Sequence, residues 1–134
     1  MIFVDSSVLI DYFNGKKNWQ VEKLDEILGK EIVVIGDYVL VEVLQGFRND
    51  NDYNIAKGVL KSFPCLNICG EEIAIKSANN YRVLRKKGVT VRKTIDVVIA
   101  TFCIENELQL LHNDKDFFAL EKHLGLQSLV LKSS

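Results

Sequence analysis

Acidic residues that are far apart in the chain could form one cluster of carboxylates. Each lies shortly after a predicted strand or in the first turns of a predicted helix: Asp5, Glu42, Asp96 and Asp114. The first three have apolar residues beside them in the sequence. Asp116 lies two residues beyond the last of them. In open parallel sheets, ligands bind beyond the carboxyl ends of the strands. The sequence therefore predicts that these carboxylates share one edge of a sheet.

Such a cluster needs a partner of opposite charge. Two like charges about 4 Å apart repel by ~4 kcal/mol near a protein surface, so the group must protonate, pair with basic side chains or bind cations. Lys115 is the only basic residue within two positions of these acids, and Lys93 lies three before Asp96. Oxygen ligands without His or Cys favour Mg²⁺ or Mn²⁺ over zinc. These ions hold phosphates and activate water, which is the chemistry of phosphodiester hydrolysis.

Each carboxylate also has a purely structural explanation. Asp5 and Asp114 could cap the helices that follow them. Asp96 could stabilise the start of its helix through the helix dipole, by about 0.3–1 kcal/mol. Glu42 is harder to explain in this way, because it lies mid-helix on a partly apolar face. None of these explanations requires the four acids to share one edge of the sheet.

The segment between Glu72 and Asp96 contains several basic residues and no acidic one. It is either a solvated helix and loop or a surface that binds phosphates. Because it leads directly into Asp96, we interpret it as a guide for a phosphate backbone. The candidate phosphate-binding residues are Arg82, Arg85, Lys86, Lys87, Arg92 and Lys93.

The elements that must position these residues alternate between strands and helices. Short apolar runs predict strands at 2–4, 32–35, 66–68, 108–111 and 128–131. Helical periodicity and capping residues predict helices after Ser6 or Ser7, at 19–28, from 37, at 53–62, at 71–87, after Thr94 and at 114–124. This alternation predicts one domain over residues 1–134, a three-layer α/β/α sandwich with a five-stranded, mainly parallel sheet.

Composition supports a globular chain. The 134 residues are 48% hydrophobic and 26% charged, with a net charge of −1, which excludes a disordered or fibrous protein. No apolar run is long enough for a membrane span, and the N-terminus lacks a signal-peptide pattern, so we expect a cytoplasmic protein. The three cysteines and two histidines are not spaced as zinc ligands, and we expect reduced thiols.

Four short motifs, taken in order, are similar to those of a known family. They occupy residues 2–11 (IFVDSSVLID), 41–46 (VEVLQG), 94–100 (TIDVVIA) and 110–117 (LLHNDKDF). Together they resemble the PIN-domain ribonucleases, and more narrowly the VapC-type toxins of bacterial and archaeal toxin–antitoxin pairs. The resemblance extends from residue 2 to about residue 130.

The resemblance implies a function and a role for each site residue. Asp5, Glu42, Asp96 and Asp114 would bind Mg²⁺ or Mn²⁺, Asp116 would be an auxiliary acid, and Ser6 would be the hydroxyl that hydrogen-bonds within the site. The reaction implied is hydrolysis of RNA by metal-activated water, leaving a 5′-phosphate and a 3′-hydroxyl. A VapB-like antitoxin, a homodimer and a strand order of 3-2-1-4-5 are also implied. His112 departs from the pattern, because many relatives carry Thr or Ser there.

Two alternatives use a similar fold. A phosphoacceptor receiver domain would need a second acid after Asp5, an Asp at the end of the third strand and a Lys near the end of the fifth. Here Asp5 is followed by two serines, and the third strand ends in Cys69 and Gly70. A binding module that has lost catalysis would keep the fold but need not keep the acids. Metal-dependent nuclease activity that is lost on substitution of Asp5 would separate this module from an enzyme.

Overall fold

A parallel β-sheet flanked by helices forms the centre of the molecule, and the computed structural model describes residues 1–131. The strands are β1 (Ile2–Val4), β2 (Val33–Gly36), β3 (Cys65–Leu66) and β4 (Gln109–Leu111). Their order in the sheet is β3-β2-β1-β4, and every pair is parallel. The two central strands are buried along their whole length, as expected for β-branched and aromatic runs covered on both faces.

The predicted fifth strand is reduced to a single bridge. Ser128 pairs in parallel with Leu110 at the outer side of β4, where the expected order 3-2-1-4-5 places it. Leu110 donates its N–H to the Gln127 carbonyl and accepts from the Leu129 N–H, both at 2.9 Å. Beyond this point Val130 and Leu131 are exposed. Of the five expected strands, four are fully formed, and the fifth is present as this bridge beside β4.

The helices confirm the expected alternation. They are α1 (Ser6–Phe13), α2 (Trp19–Ile27), α3 (Asp37–Leu44), α4 (Asp50–Leu60), α5 (Glu71–Lys86), α6 (Thr94–Glu105) and α7 (Phe118–Leu124). Asn49 starts α4 earlier than predicted, because its side chain accepts the N–H groups of Asn51 and Asp52. The single helix predicted at 114–124 is instead a 3₁₀ turn (Lys115–Phe117) followed by α7.

Helix α6 is the most deeply buried helix of the described chain. Every residue from Asp96 to Cys103 is buried, because a helix that is apolar nearly all round must be covered on most sides. Helix α5 packs along it, and Asn80 donates a hydrogen bond to the Thr101 hydroxyl at 3.0 Å. Burial of α6 fixes Asp96 in the first turn of a rigid element. Thr94 begins the helix rather than capping it, because the cap position is taken by Lys93.

A close approach of backbone and side chains positions α3. A Cβ on Gly36 would lie 2.7 Å from Ile68 Cγ2 and 2.9 Å from Phe3 Cζ, so only glycine fits between β1 and β3 at this position. Helix α3 starts at the next residue. The close packing around Gly36 therefore fixes the start of α3, the helix that carries Glu42.

Two further observations concern membrane-spanning helices and the state of the cysteines. No helix within residues 1–131 combines the length and the apolarity that a membrane crossing needs. The cysteines are free thiols: Cys65 is exposed, Cys69 is half-buried and Cys103 is buried.

Candidate metal centre

Three of the predicted acids converge at the carboxyl edge of the sheet. Asp96 is in the first turn of α6, Asp114 lies between β4 and the 3₁₀ turn, and Asp116 is within that turn. One carboxylate oxygen from each residue lies within 4.8 Å of the other two. Asp96 is buried, and the other two are half-buried. Oxygens at this spacing can surround one cation.

Asp5 lies beside this group without joining its tightest part. It directly follows β1 and is 3% exposed. Its Oδ2 caps α1 by accepting the Ser7 N–H at 3.0 Å and the Ser7 hydroxyl at 2.6 Å. Burial raises the pKa of Asp5, the Ser7 hydrogen bonds partly offset that rise, and the charge of Asp114 adds to it. Asp5 is therefore both a helix cap and an electrostatic neighbour of Asp114.

Glu42 reaches the same site from α3. It is half-buried, and its Oε1 is a buried oxygen without a hydrogen-bond partner among the described residues. Burial raises the pKa of Glu42, and the charge of Asp5 raises it further. The structure thus places all the sequence-predicted acids at one edge of the sheet, with Asp5 and Glu42 outside the tight group of three.

Ser7, rather than Ser6, is the serine that hydrogen-bonds to Asp5. Besides donating to Asp5, the Ser7 hydroxyl accepts the Asn113 N–H at 2.9 Å. It therefore ties the end of β1 to the segment after β4. Ser6 is buried, and its hydroxyl favours the charged form of Glu42. The Ser6 hydroxyl therefore interacts with Glu42 rather than with Asp5, because adjacent helical residues point in directions about 100° apart.

A polar network behind the site holds the segment that carries Asp114. The Asn113 side chain donates to Asp11 Oδ2 at 2.8 Å and accepts from Gln20 Nε2 at 3.1 Å. Asn18 donates to the same Asp11 oxygen at 3.1 Å. These residues follow no spacing that predicts a role at the site. The available signal was Asp11 itself, an acid in an otherwise apolar helix that the structure shows to be buried.

His112 supports Asp114 from the other side. Its Nδ1 accepts the Asp114 N–H at 3.2 Å, and its Nε2 lies 2.8 Å from Glu121 Oε2. Because Nδ1 accepts, the proton of the neutral ring is on Nε2 and is donated to Glu121. The ring also packs against Phe117, with centroids 4.8 Å apart. The residue that departs from the family pattern therefore orients the backbone of a site acid.

Two of the predicted phosphate-binding residues pair with the acids instead. Lys93 Nζ lies 3.1 Å from Asp114 Oδ2 and 3.7 Å from Asp96 Oδ2. Arg92 Nη1 lies 3.7 Å from Asp116 Oδ1. These ion pairs provide part of the positive charge that the cluster needs.

The remaining basic residues are on or just after the last turns of α5. Arg82 and Arg85 border a cavity of about 600 Å³ between α5 and α6, and the Arg85 guanidinium lies 5.1 Å from the centre of the Tyr81 ring. Lys86 and Lys87 are exposed at the end of the helix. The six predicted residues thus separate into a group on α5 and a pair at the acids.

The pKa values of the acids shift in opposite directions. Burial raises the pKa of Asp96 to about 7, against the opposing charge of Lys93 and with further increases from Asp5, Asp114 and Asp116. The pKa of Asp114 is lowered despite its partial burial, because it accepts hydrogen bonds from the Asp116 N–H and from Lys93. Partial burial disfavours the Lys93 ammonium, but the bond to Asp114 and the charge of Asp96 raise its pKa overall.

The residues present fit a hard divalent cation. Asp96 Oδ2, like Glu42 Oε1, is buried without a hydrogen-bond partner among the described residues, and a cation held by the group of three would satisfy the Asp96 oxygen. The donor set consists of carboxylates, since His112 is occupied by Glu121 and Asp114. Carboxylate oxygens are the ligands that Mg²⁺ and Mn²⁺ prefer.

Comparison with known proteins gives consistent matches. A family model described as PIN domain matches residues 2–122. The chain is 31% identical to Ribonuclease VapC1 of Methanocaldococcus jannaschii, over 94% of this chain and 85% of that protein. It is 27% identical to Ribonuclease VapC11 of Mycobacterium tuberculosis, over 96% of this chain and 97% of that protein.

Among solved structures, the fold is similar to VapBC2 from Rickettsia felis, which was crystallised bound to a DNA fragment from its promoter. The TM-score is 0.78 with 15% sequence identity, covering 96% of this chain and 98% of the other. At this identity the likeness shows the fold alone.

The two serines can be distinguished by substitution. We expect Ser7→Ala to lower the free energy of unfolding by about 1–2 kcal/mol, because Asp5 loses the hydrogen bond from the Ser7 hydroxyl and the Asn113 N–H loses its acceptor. Removing the Ser6 hydroxyl should cost less than half as much. Urea denaturation of both variants measures the difference. Equal losses would show that the Ser7 hydroxyl does not connect β1 to the segment after β4.

The pKa of Asp96 predicts how stability depends on pH. Its pKa is about 7 in the folded chain and near 3.8 when exposed, so the folded state binds more protons between these values. Without divalent ions, its contribution to stability is therefore lost as pH rises from about 4 to 7. Asp96→Asn should flatten this dependence and stabilise the protein at pH 7.5 by about 2 kcal/mol.

Thermal and urea unfolding in a chelator, repeated across this pH range, tests the expectation. Asp25→Asn is the matched control, because Asp25 is exposed on α2 and its substitution should leave the slope unchanged. Identical slopes for wild type and Asp96→Asn would show that Asp96 is ionised normally.

Proposed function

The chain belongs to the PIN domain family, and we propose that it is the toxin ribonuclease of a toxin–antitoxin pair. The observation that carries this proposal is the set of carboxylates at the carboxyl edge of the sheet, with three of them close enough to share a cation. Two relatives that match nearly the whole length of this chain are named ribonucleases. The substrate class is RNA, and the reaction is hydrolysis of internal phosphodiester bonds.

The proposed cofactor is Mg²⁺ or Mn²⁺. Asp96, Asp114 and Asp116 would hold it, with Asp5 and Glu42 completing the acidic surroundings. When bound, the ion would offset charge on the phosphate and lower the pKa of an attacking water. The chain itself orients the acids: Ser7 fixes Asp5, and His112 fixes the backbone of Asp114.

No nucleophilic side chain is needed for this reaction. His112 is committed to Glu121 and to the Asp114 N–H, so it does not act as a free base beside a serine. Attack by water on phosphorus, with departure of the 3′-oxygen, leaves a 5′-phosphate on one product and a 3′-hydroxyl on the other. A binding module without catalysis would not require Asp96 and Glu42 to keep buried oxygens that accept no hydrogen bond among the described residues.

The exposed basic residues of α5 are the proposed guide for the RNA backbone. Arg82, Arg85, Lys86 and Lys87 lie on or just after its last turns, away from the ion pairs that Arg92 and Lys93 make. They offer point charges on exposed side chains, and such charges bind phosphates rather than read bases. Binding along this helix would therefore depend weakly on sequence.

A protein partner would find an apolar face beside the acids. Tyr38 and Val41 are 46% and 58% exposed on α3, the helix of Glu42, and Ile55 and Val59 are exposed on the adjoining α4. We propose this face for the VapB-like antitoxin.

A homodimer is also proposed. Among the aromatic residues of the first two helices, Tyr12 is exposed, whereas Phe13 and Trp19 pack on the core.

Removing a carboxylate should abolish cleavage without unfolding the domain. For Asp5→Asn, Glu42→Gln, Asp96→Asn and Asp114→Asn we expect activity to fall more than about 100-fold, because the loss of even an outer partner of a metal ligand costs 10–100-fold. Relief of repulsion should leave the Asp5, Glu42 and Asp96 variants equally or more stable in the absence of metal, by about 2 kcal/mol for Asp96→Asn at pH 7.5. Asp114→Asn should lose a little stability, because Lys93 and the Asp116 N–H stabilise the Asp114 carboxylate. A fluorogenic RNA assay with Mg²⁺ or Mn²⁺, together with thermal melts, measures both.

Asp25→Asn provides the control for charge and for preparation, and it should retain activity. Full activity in any two of the four variants would overturn the site. Cleavage by the wild type that persists in a chelator would overturn the metal requirement.

The basic residues predict how RNA affinity depends on salt. In the inactive Asp5→Asn background, changing Lys86 and Lys87 to Ala should weaken binding for all RNA sequences. It should also reduce the salt slope by about 1.4, since each single-strand phosphate contact contributes ~0.7. Fluorescence anisotropy over a range of salt concentrations gives both quantities.

The matched control removes two lysines from the opposite edge of the sheet. Lys30 and Lys61 are exposed and precede β2 and β3, so changing both to Ala makes the same change in net charge far from the acids. If both double variants alter the slope equally, the end of α5 has no special role.

A further inference from the structure

Lys93 has an unusual place among the basic residues of the chain. It occupies the cap position of α6 without making a side-chain cap hydrogen bond. Its Nζ bridges Asp114 Oδ2 at 3.1 Å and Asp96 Oδ2 at 3.7 Å. These are two of the three residues whose oxygens converge. The ammonium therefore lies within the group of carboxylates that would receive a divalent cation.

The two cations cannot share this position. A divalent ion held by Asp96 and Asp114 would lie a few ångströms from the Lys93 ammonium and repel it strongly at the low effective dielectric of a half-buried site. An oxygen that binds the ion would also be a weaker acceptor for Lys93. Binding of the ion therefore requires the ammonium to move away from the carboxylates.

The structure gives Lys93 room to move. Its side chain is 48% exposed, and the four-carbon stem of a lysine has several rotatable bonds. The preceding segment is exposed at Arg92 and contains Gly88 with φ of 77°. A small rotation carries the ammonium to the rim of the site. An RNA phosphate that approaches the ion would offer it new acceptors there.

We propose that Lys93 is an exchangeable cation of this site: it pairs with Asp96 and Asp114 when no divalent ion is bound, and it binds the substrate phosphate once the ion has displaced it. This proposal rests on the proposed metal-dependent function. It separates Lys93 from the exposed lysines of α5, whose contacts with phosphate would not depend on the ion.

Metal binding by the full chain tests the first half. Lys93→Met keeps the length of the side chain and removes its charge, so we expect Mn²⁺ to bind about tenfold more tightly by isothermal titration calorimetry. Lys93→Arg retains a charge and should bind Mn²⁺ within about twofold of wild type. Lys30→Met is the control for loss of a distant positive charge, and thermal melts in a chelator establish that each variant is folded.

Adenosine 5′-monophosphate tests the second half, because it carries the 5′-phosphate of the proposed product and is not cleaved. With Mn²⁺ saturating, Lys93→Met should weaken its binding about tenfold, whereas Lys30→Met should not. In a chelator, Lys93→Met should leave the weak binding of the nucleotide unchanged, because the wild-type lysine is then paired with the acids.

The outcomes distinguish this proposal from the function on which it rests. Mn²⁺ affinity in Lys93→Met that is equal to or weaker than wild type would overturn the exchange and leave the metal site intact. Tighter Mn²⁺ binding with unchanged nucleotide binding would overturn the phosphate contact. If neither wild type nor Lys93→Met bound Mn²⁺, the metal-dependent function and this proposal would both be wrong.

Discussion

Mutual repulsion among carboxylates at low solvent exposure is the constraint on which this structure depends. Asp5 and Asp96 are 3% and 5% exposed, and several other carboxylates lie close to them. Burying a charge is costly unless it is paired or hydrogen-bonded. The chain offsets part of this cost with Lys93, with the Ser7 hydroxyl and with backbone N–H groups. The rest of the cost is not offset, as the raised pKa of Asp96 shows, and Asp96 Oδ2 accepts no hydrogen bond among the described residues.

The parallel sheet holds the acids together against that repulsion. β1 and β4 are hydrogen-bonded neighbours with Val4 opposite Leu111, so the residues that follow them leave the sheet side by side. The Asp5 N–H donates to the Leu111 carbonyl at 2.9 Å, and Ser7 bonds to the backbone of Asn113. The buried start of α6 delivers Asp96 to the same edge. Core packing remote from the acids therefore stabilises a cluster that electrostatics alone would disperse.

Sequence patterns were sufficient for the features that depend on periodicity and order. Alternating apolar runs predicted the strands, the helices and the sheet edge where the acids meet. The details that sequence could not provide depend on contacts between distant segments. Whether Ser6 or Ser7 bonds to Asp5 is decided by the direction of α1, and Lys93 meets Asp114 only through the fold. The fifth strand has the composition of a strand, but its pairing is limited to a bridge at Ser128 and the hydrogen bonds of Leu110 with Gln127 and Leu129.

The structural and the chemical explanations of these acids are compatible, because a carboxylate has two oxygens. Asp114 Oδ1 accepts the Asp116 N–H and starts the 3₁₀ turn, while its Oδ2 meets Lys93. Asp5 likewise uses Oδ2 to cap α1, which leaves its Oδ1 outside the cap. In each case the cap bond restricts the side-chain torsion and so restricts the position of the second oxygen. A capping role for a strand-end aspartate is therefore no argument against a role in binding a cation, since one oxygen can cap while the other remains available.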